Sequence, residues 1–289
     1  MRDALADAGS PSFALLFATD DYLMDEVAVA ATRALGGIPW AGVATPGVLH
    51  TKGMLEQGIA VGVVESELVR VRVGVASALS ADPREAGRRA AREALADMPL
   101  PPENRSRLML LFADPTSGDA DVALAGAVSV GGAGIAWAGG GGGRTGVVFA
   151  HGRALRDSVL TIALDCVGRV GVGVQHGWEP TGAPTMVTRA SGVVVAELEH
   201  RPALEIYREA VMAPADLGGR SFAEFAISHP LGIPQARGEY LIRDPVSVDA
   251  NGAIELVASV PDGALIRVMR GTPELLVEAA GSAARSAKS

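Results

Sequence analysis

The opening stretch of the chain does most to limit what it can fold into. Phe13 to Thr19 is an uninterrupted run of strand length, apolar up to its final threonine. Asp20 or Asp21 follows as the helix cap. A helical stretch then runs to about Leu35, and Gly36-Gly37 ends it as helix C-termini are commonly ended. Trp40 to Thr45 is a second strand, and Thr45-Pro-Gly-Val-Leu-His50 turns away from it. A strand, a helix and a strand in that order form a crossover unit, the connection that parallel pairing needs.

Other segments call for a different kind of pairing. Gly58 to Glu65 and Val69 to Ser77 are consecutive strands, and the Glu65-Ser-Glu-Leu segment between them suits a hairpin. Asp82-Pro83 caps and opens a helix to about Asp97, which Pro99, Pro101 and Pro102 stop. Arg107 to Ala113 is a strand and Asp119 to Ser129 a short helix. Gly134 to Ala138 and Thr145 to Ala150 flank five consecutive glycines, and Ser158 to Asp165 and Arg169 to His176 are strands. Crossovers and hairpins together predict an α/β (mixed α+β) chain of layered mixed β-sheets with flanking helices, in two subdomains, rather than a plain Rossmann domain.

The second subdomain starts at Gly177, giving 1–176 and 177–289. It holds strands at Met186–Thr188 and Val193–Leu198, a helix opened by Arg201-Pro202, and a Gly/Pro-interrupted connection from Leu217 to Gly238. Strands follow near Tyr240–Ile242, Ile254–Ser259 and Ala264–Met269, with turns at Asn251-Gly252 and Pro261-Asp-Gly263. Thr272-Pro-Glu-Leu starts a helix that frays from Gly281 onward. No period of roughly 20–50 residues is present, which excludes a solenoid array.

Composition narrows the function. Of the 289 residues 48% are hydrophobic and 20% charged, and the net charge is -8, a surface that repels phosphate backbones and argues against nucleic acid. The single cysteine, Cys166, excludes an intrachain disulfide and reads as a buried inert thiol. The start, Met1-Arg-Asp-Ala-Leu-Ala-Asp7, shows no apolar leader core. Val122 to Gly143 is uncharged and long enough to span a bilayer, but its glycine content makes it a helix, a strand and a turn. A cytoplasmic protein without membrane insertion is the expectation.

The segment Gly177-Trp-Glu-Pro-Thr-Gly182, then Val187-Thr188, Glu197-Leu198 and Arg201-Pro-Ala-Leu-Glu-Ile-Tyr207, resembles the opening of a FIST C domain. Upstream, Trp40-Ala-Gly-Val-Ala-Thr-Pro-Gly47 resembles a turn of the FIST N domain. Ala138 with Gly139 to Gly143 and Thr145 to Phe149 resembles that domain's later glycine-rich turn. The resemblance spans nearly the whole chain. It implies an intracellular sensory module that binds a small metabolite such as an amino acid and signals through a partner protein in trans. Some relatives carry haem and sense nitric oxide. FIST C domains also continue further than the residues that follow Glu278, which implies a shortened C-terminal half.

Specific residues follow from these readings. Thr45, Trp137, Arg144, Trp178, Thr188 and Arg189 are the candidate ligand contacts. Indoles beside glycine bends can wall a ligand, and a guanidinium can take a carboxylate in two hydrogen bonds. Gly42, Gly47, Gly139, Gly140, Gly177 and Gly182 shape the pocket. The glycine run with Arg144-Thr145 has a second reading as an anion cradle, although it departs from the Walker pattern at Ala138 and in lacking a lysine. No histidine pair stands at helical spacing and no G-x-S-x-G elbow occurs. The expectation is therefore no dedicated metal site, no cofactor and no catalytic centre. Three alternatives stand beside the sensor: a haem-binding gas sensor using His50 or His176, an adaptor with a vestigial pocket, and an enzyme acting on an anionic substrate.

Overall fold

The computed structural model describes residues 9–50, 53–132, 134–213, 217, 219–236 and 238–288. The N-terminal stretch read above for a leader lies outside these residues. The chain divides after Val172 into two compact units.

The first unit runs β1 (Phe13–Thr19), α1 (Met24–Leu35), β2 (Trp40–Thr45), β3 (Val48–His50), β4 (Gly53–Leu55), β5 (Ile59–Val64) and β6 (Arg70–Ser77). It continues with α2 (Pro83–Leu95), β7 (Arg105–Ala113), α3 (Ala120–Gly131), β8 (Ala136–Gly141), β9 (Val148–Ala150), β10 (Arg153–Leu155) and β11 (Ser158–Val167). One sheet has the order β10-β9-β2-β1-β5, the other β6-β11-β7-β8, and β3–β4 form a separate ribbon. Among the described residues only β1–β2 and β7–β8 pair in parallel, each across a helix.

The alternation along β1 explains the layering. Ala14, Leu16 and Ala18 pack on Met24, Val27, Ala28, Ala31 and Leu35 of α1. Phe13, Leu15 and Phe17 face the second sheet, where Phe17 meets Phe112 edge-on at 6.3 Å. On β11, Leu160 and Ile162 face the first sheet while Val159 faces α2 and α3. The stack is therefore helix, sheet, sheet, helix pair. Strands buried on both faces read as continuous apolar runs, which is why β1, β7 and β11 were legible.

The unit is built from two equivalent halves. Leu15-Leu-Phe-Ala18 on β1 returns as Leu110-Leu-Phe-Ala113 on β7, and Trp40-Ala-Gly42 on β2 returns as Trp137-Ala-Gly139 on β8. In both halves the first strand has a parallel neighbour across a helix and an antiparallel one, β5 or β11, on its other side. Gly42 pairs with Leu16 and Gly139 with Leu111, and a Cβ at either glycine would overlap the carbonyl oxygen of that leucine. The repeat lies outside the solenoid range of periods and is not a solenoid.

The second unit is an antiparallel sheet with helices. Its elements are β12 (Trp178–Ser191), β13 (Val194–Leu198), β14 (Arg201–Pro202), α4 (Ala203–Val211), α5 (Gly219–Ala226), β15 (Leu231–Pro234) and β16 (Tyr240–Arg243). Then come β17 (Pro245–Val248), β18 (Ile254–Leu256), β19 (Leu265–Gly271) and α6 (Pro273–Ser286). The strand order is β16-β15-β19-β12-β13-β18-β17, with β14 beside β13. Tyr207 and Phe222 stand 5.6 Å apart in its core with Val195, Leu198, Leu231 and Ile254, and the Tyr207 hydroxyl donates to the His229 carbonyl at 2.7 Å.

Several expectations are corrected. β5 and β6 do not form a hairpin. They belong to different sheets, and the Glu65 carboxylate instead accepts the amides of Gly9 and Ser10 at 3.0 and 2.8 Å. Asp20 and Asp21 do not cap α1, whose N-cap is Leu23 with no side-chain cap. Residues 169–176 form no strand. Gly173 and Gly177 there lie against the backbone of α6, where a Cβ would overlap Ala283 and Leu275. The connection from Leu217 to Gly238 contains α5 and β15, and α6 does not fray at Gly281 but runs to Ser286 from the Thr272 cap.

The crossing of α2 and α3 depends on two glycines. A Cβ at Gly87 would overlap the Ala123 carbonyl and one at Gly126 the Arg84 carbonyl. Gly→Ala in an exposed helix is stabilising by up to about 1 kcal/mol. Gly87→Ala should instead destabilise by about 1–3 kcal/mol through overpacking, while Gly281→Ala on α6 should be neutral or stabilising. Urea denaturation of the two variants reads the opposite signs.

Candidate functional site

The two sheets are linked by the segment from β8 to β9, and two carboxylates fix it. Asp20 follows β1. Its carboxylate accepts the backbone N–H of Arg144 at 2.9 Å, that of Thr145 at 3.1 Å and the Thr145 hydroxyl at 2.8 Å. Asp114 follows β7 at the equivalent place and is 1% exposed. It accepts the Thr116 amide and hydroxyl at 2.8 and 2.6 Å, the Ser117 hydroxyl at 2.8 Å and the Asp157 amide at 2.8 Å. Burial by itself would raise the Asp114 carboxyl, but the hydrogen bonds from Thr116, Ser117 and Asp157 hold it below the ordinary carboxylate value. The glycines make room for both acids: a Cβ at Gly143 would collide with Asp20 and one at Gly146 with Asp114.

This places the predicted anion cradle. The amides of Arg144 and Thr145 do hold an anion, and it is the chain's own Asp20. Gly139 to Gly141 are part of β8 rather than of a turn. The Arg144 residue is exposed, the Thr45 hydroxyl donates to the Gly47 carbonyl at 2.9 Å, and Trp137 packs with α3 residues. Thus Thr45, Trp137, Arg144, Gly42, Gly47, Gly139 and Gly140 all belong to the first unit. Trp178, Thr188, Arg189, Gly177 and Gly182 belong to the second. There Arg189 is paired with Glu197 at 2.8 Å, the Thr188 hydroxyl accepts the His200 amide at 2.9 Å, and Gly182 sits at a bulge of β12 with φ 62°.

At the other end of β1 lies a cavity of about 520 Å³. Phe13, Trp40, Val71 and Val73 supply apolar wall. Thr32 and the Gly36-Gly37-Ile38-Pro39 segment border it from α1, and Arg72 and His151 supply polar groups. Its volume is within the roughly 300–1,000 Å³ of small-molecule sites. His151 and Gly152 have the two positive φ values, 51° and 74°, of a tight hairpin turn. His151 Nε2 stands 3.3 Å from Glu93, whose other oxygen accepts the Val75 amide at 3.0 Å. No described group pairs with the Arg72 guanidinium. Arg72 also lines a second cavity of about 370 Å³, next to the buried Arg107–Asp165 pair with its contacts of 2.6 and 2.8 Å. Sequence reading passed over Arg72, His151, Trp40 and Asp114. Only Asp114 carried a signal, as the residue that follows Leu-Leu-Phe-Ala on the second occasion.

Among the described residues no group of three or more His, Cys, Asp or Glu side chains could hold a metal ion. No helix among them is long and apolar enough to cross a membrane. His176 accepts the Trp178 amide through Nδ1 at 3.3 Å, and neither His176 nor His50 lines either of these two cavities. The Cys166 thiol is pushed up by burial and by Asp165, away from thiolate character.

The chain matches the FIST N domain over residues 12–201 and the FIST C domain over residues 203–289. It belongs to the FIST family. The domains of this family are small-ligand sensory and signal-transduction modules. An uncharacterized protein of Methanocaldococcus jannaschii is 37% identical over 76 residues, covering 23% of this chain and 15% of that relative. In this FIST protein β12 and β13 fall within the N-domain match yet fold with the second unit.

Two outcomes test the carboxylate clamp. Asp20→Asn should cost about 2 kcal/mol by weakening three charge-assisted hydrogen bonds, read as a lower urea midpoint at neutral pH. Asp114 has a lowered pKa, so its stabilising share is complete above the unfolded carboxylate pKa and is lost as pH falls through the lower folded value. Asp114→Asn should accordingly flatten the decline of stability below about pH 4, seen in a denaturation series against pH.

Proposed function

We propose that this FIST protein senses a small carboxylate-bearing metabolite, an amino acid in the first instance, and passes its occupancy to a signalling protein in trans. The observation that carries this reading is the cavity of about 520 Å³ lined by Arg72, which has no partner among the described residues. A guanidinium is the group best matched to a carboxylate. The same cavity is bordered by the C-terminal end of α1, whose carbonyl oxygens lie at the negative pole of the helix, a setting for an ammonium group. Trp40, Phe13, Val71 and Val73 form the surface for an apolar side chain. A zwitterion with an apolar substituent meets all three features, whereas a phosphate ester would leave the carbonyl end unmatched. Nothing in the arrangement calls for a reacting group, and the reading includes no catalysis.

A thermal-shift screen against amino acids, organic acids, nucleotides and haem tests the proposal. A ligand at 100 times its dissociation constant should stabilise by about 2.7 kcal/mol, several degrees for a unit of this size. An amino acid should give the shift and Arg72→Ala should abolish it. A shift that survives Arg72→Ala moves the site elsewhere, and a flat screen on well-folded protein overturns the sensor reading for these ligands.

A further inference from the structure

Each half of the first unit carries a hairpin, β3–β4 in the first and β9–β10 in the second. They are equivalent in sequence position, Val48 matching Val148 and Leu55 matching Leu155. Their surroundings differ. β9 pairs along the outer edge of β2, Gly42 opposite Phe149 and Val43 opposite Val148. Phe149 is thereby fully buried, its ring 6.0 Å from that of Trp40.

The reciprocal contact is missing. Among the described residues β8, the counterpart of β2, has β7 on one side and no strand on the other, and Gly139 to Gly141 are exposed. Trp137, the counterpart of Trp40, is only half-buried. Among the described strands β3, the counterpart of β9, pairs with β4 alone. Leu49, the counterpart of Phe149, is 81% exposed, and Met54 across the ribbon is 65% exposed. The molecule thus holds an open strand edge and an apolar hairpin that match by a rule it already follows at β2–β9. An exposed edge beside exposed apolar side chains is a pairing surface.

The chain does not satisfy this contact within itself, and its loop lengths give the reason. Eight residues separate Gly139 from Val148, and this loop carries β9 across to the other sheet. Five separate Gly42 from Val48, and Val48 is already buried at 3%. We propose that a second copy of the chain supplies it. β3 of one copy adds antiparallel to β8 of the other, with Leu49 opposite Gly139 and over Trp137. The same contact repeated in the opposite sense closes a two-fold dimer, because each copy offers both surfaces.

Light scattering on the full chain over a concentration series tests this, together with hydrogen exchange of the 136–141 amides. The expected result is a dimer in which those amides exchange more slowly than in dilute protein. The Leu49→Asp, Met54→Asp double variant should keep its melting temperature in dilute solution, since both side chains are exposed. It should be monomeric and lose the protection of β8. Wild-type chain that stays monomeric throughout, a dimer that survives the double substitution, or a dimer whose β8 amides exchange as in the monomer would each overturn the proposal.

Discussion

The first unit depends on the link between β8 and β9. These strands belong to different sheets, so this connection makes two sheets into one stack. It is held by carboxylates: Asp20 fixes the amides of Arg144 and Thr145, and Asp114 closes the equivalent end of β7. Gly142 and Gly143 add backbone bonds to the Ala113 and Ala44 carbonyls at 2.8 and 2.7 Å, one to each sheet. Buried amides that lack partners are costly. A run of small residues with nothing but backbone to offer would otherwise be a weak place in the core. Internal anions turn it into a fixed corner.

This economy also separates the two ends of the strands. At the C-terminal end of β1 the amides, hydroxyls and acids satisfy one another, leaving little for a ligand. At the N-terminal end, Arg72 has no partner among the described residues and borders a cavity. A polar group left unmatched by its own chain is a more informative marker of binding than a glycine motif, because glycine serves close packing equally well. Gly42 and Gly139 illustrate this: each admits a leucine carbonyl, a role concerned with the sheet itself.

The elements legible in the sequence were those with local punctuation. α2 is announced by Asp82 and Pro83, and the Asp82 carboxylate does accept the Glu85 amide at 3.0 Å. α6 is announced by Thr272 and Pro273 in the same way. Strand partnership was not legible, since the apolar positions of β5 and β6 are the same whether they pair together or lie in facing sheets. Asp20 misled because an acid between a strand and a helix is usually a cap. Here α1 begins only at Met24, with Asp25 and Glu26 in its first turn. The cavity could not be read because its lining comes from β1, α1, β2, β6 and the β9–β10 turn, segments remote in sequence whose side chains show no common pattern.

The exchange of β9–β10 onto the sheet of the other half has a consequence for how the chain is made. Gly42 has to wait for Phe149. Synthesis adds roughly 5–20 residues per second, so β2 is left with a bare edge for roughly 5–20 s while the next hundred or so residues emerge. Neither half can finish alone, and the entropy of closing so long a loop must be met before the contact rewards it. The nascent first half is thus an apolar sheet open on one side, the state in which a chaperone, or the same half of a neighbouring nascent chain, competes with the native hairpin.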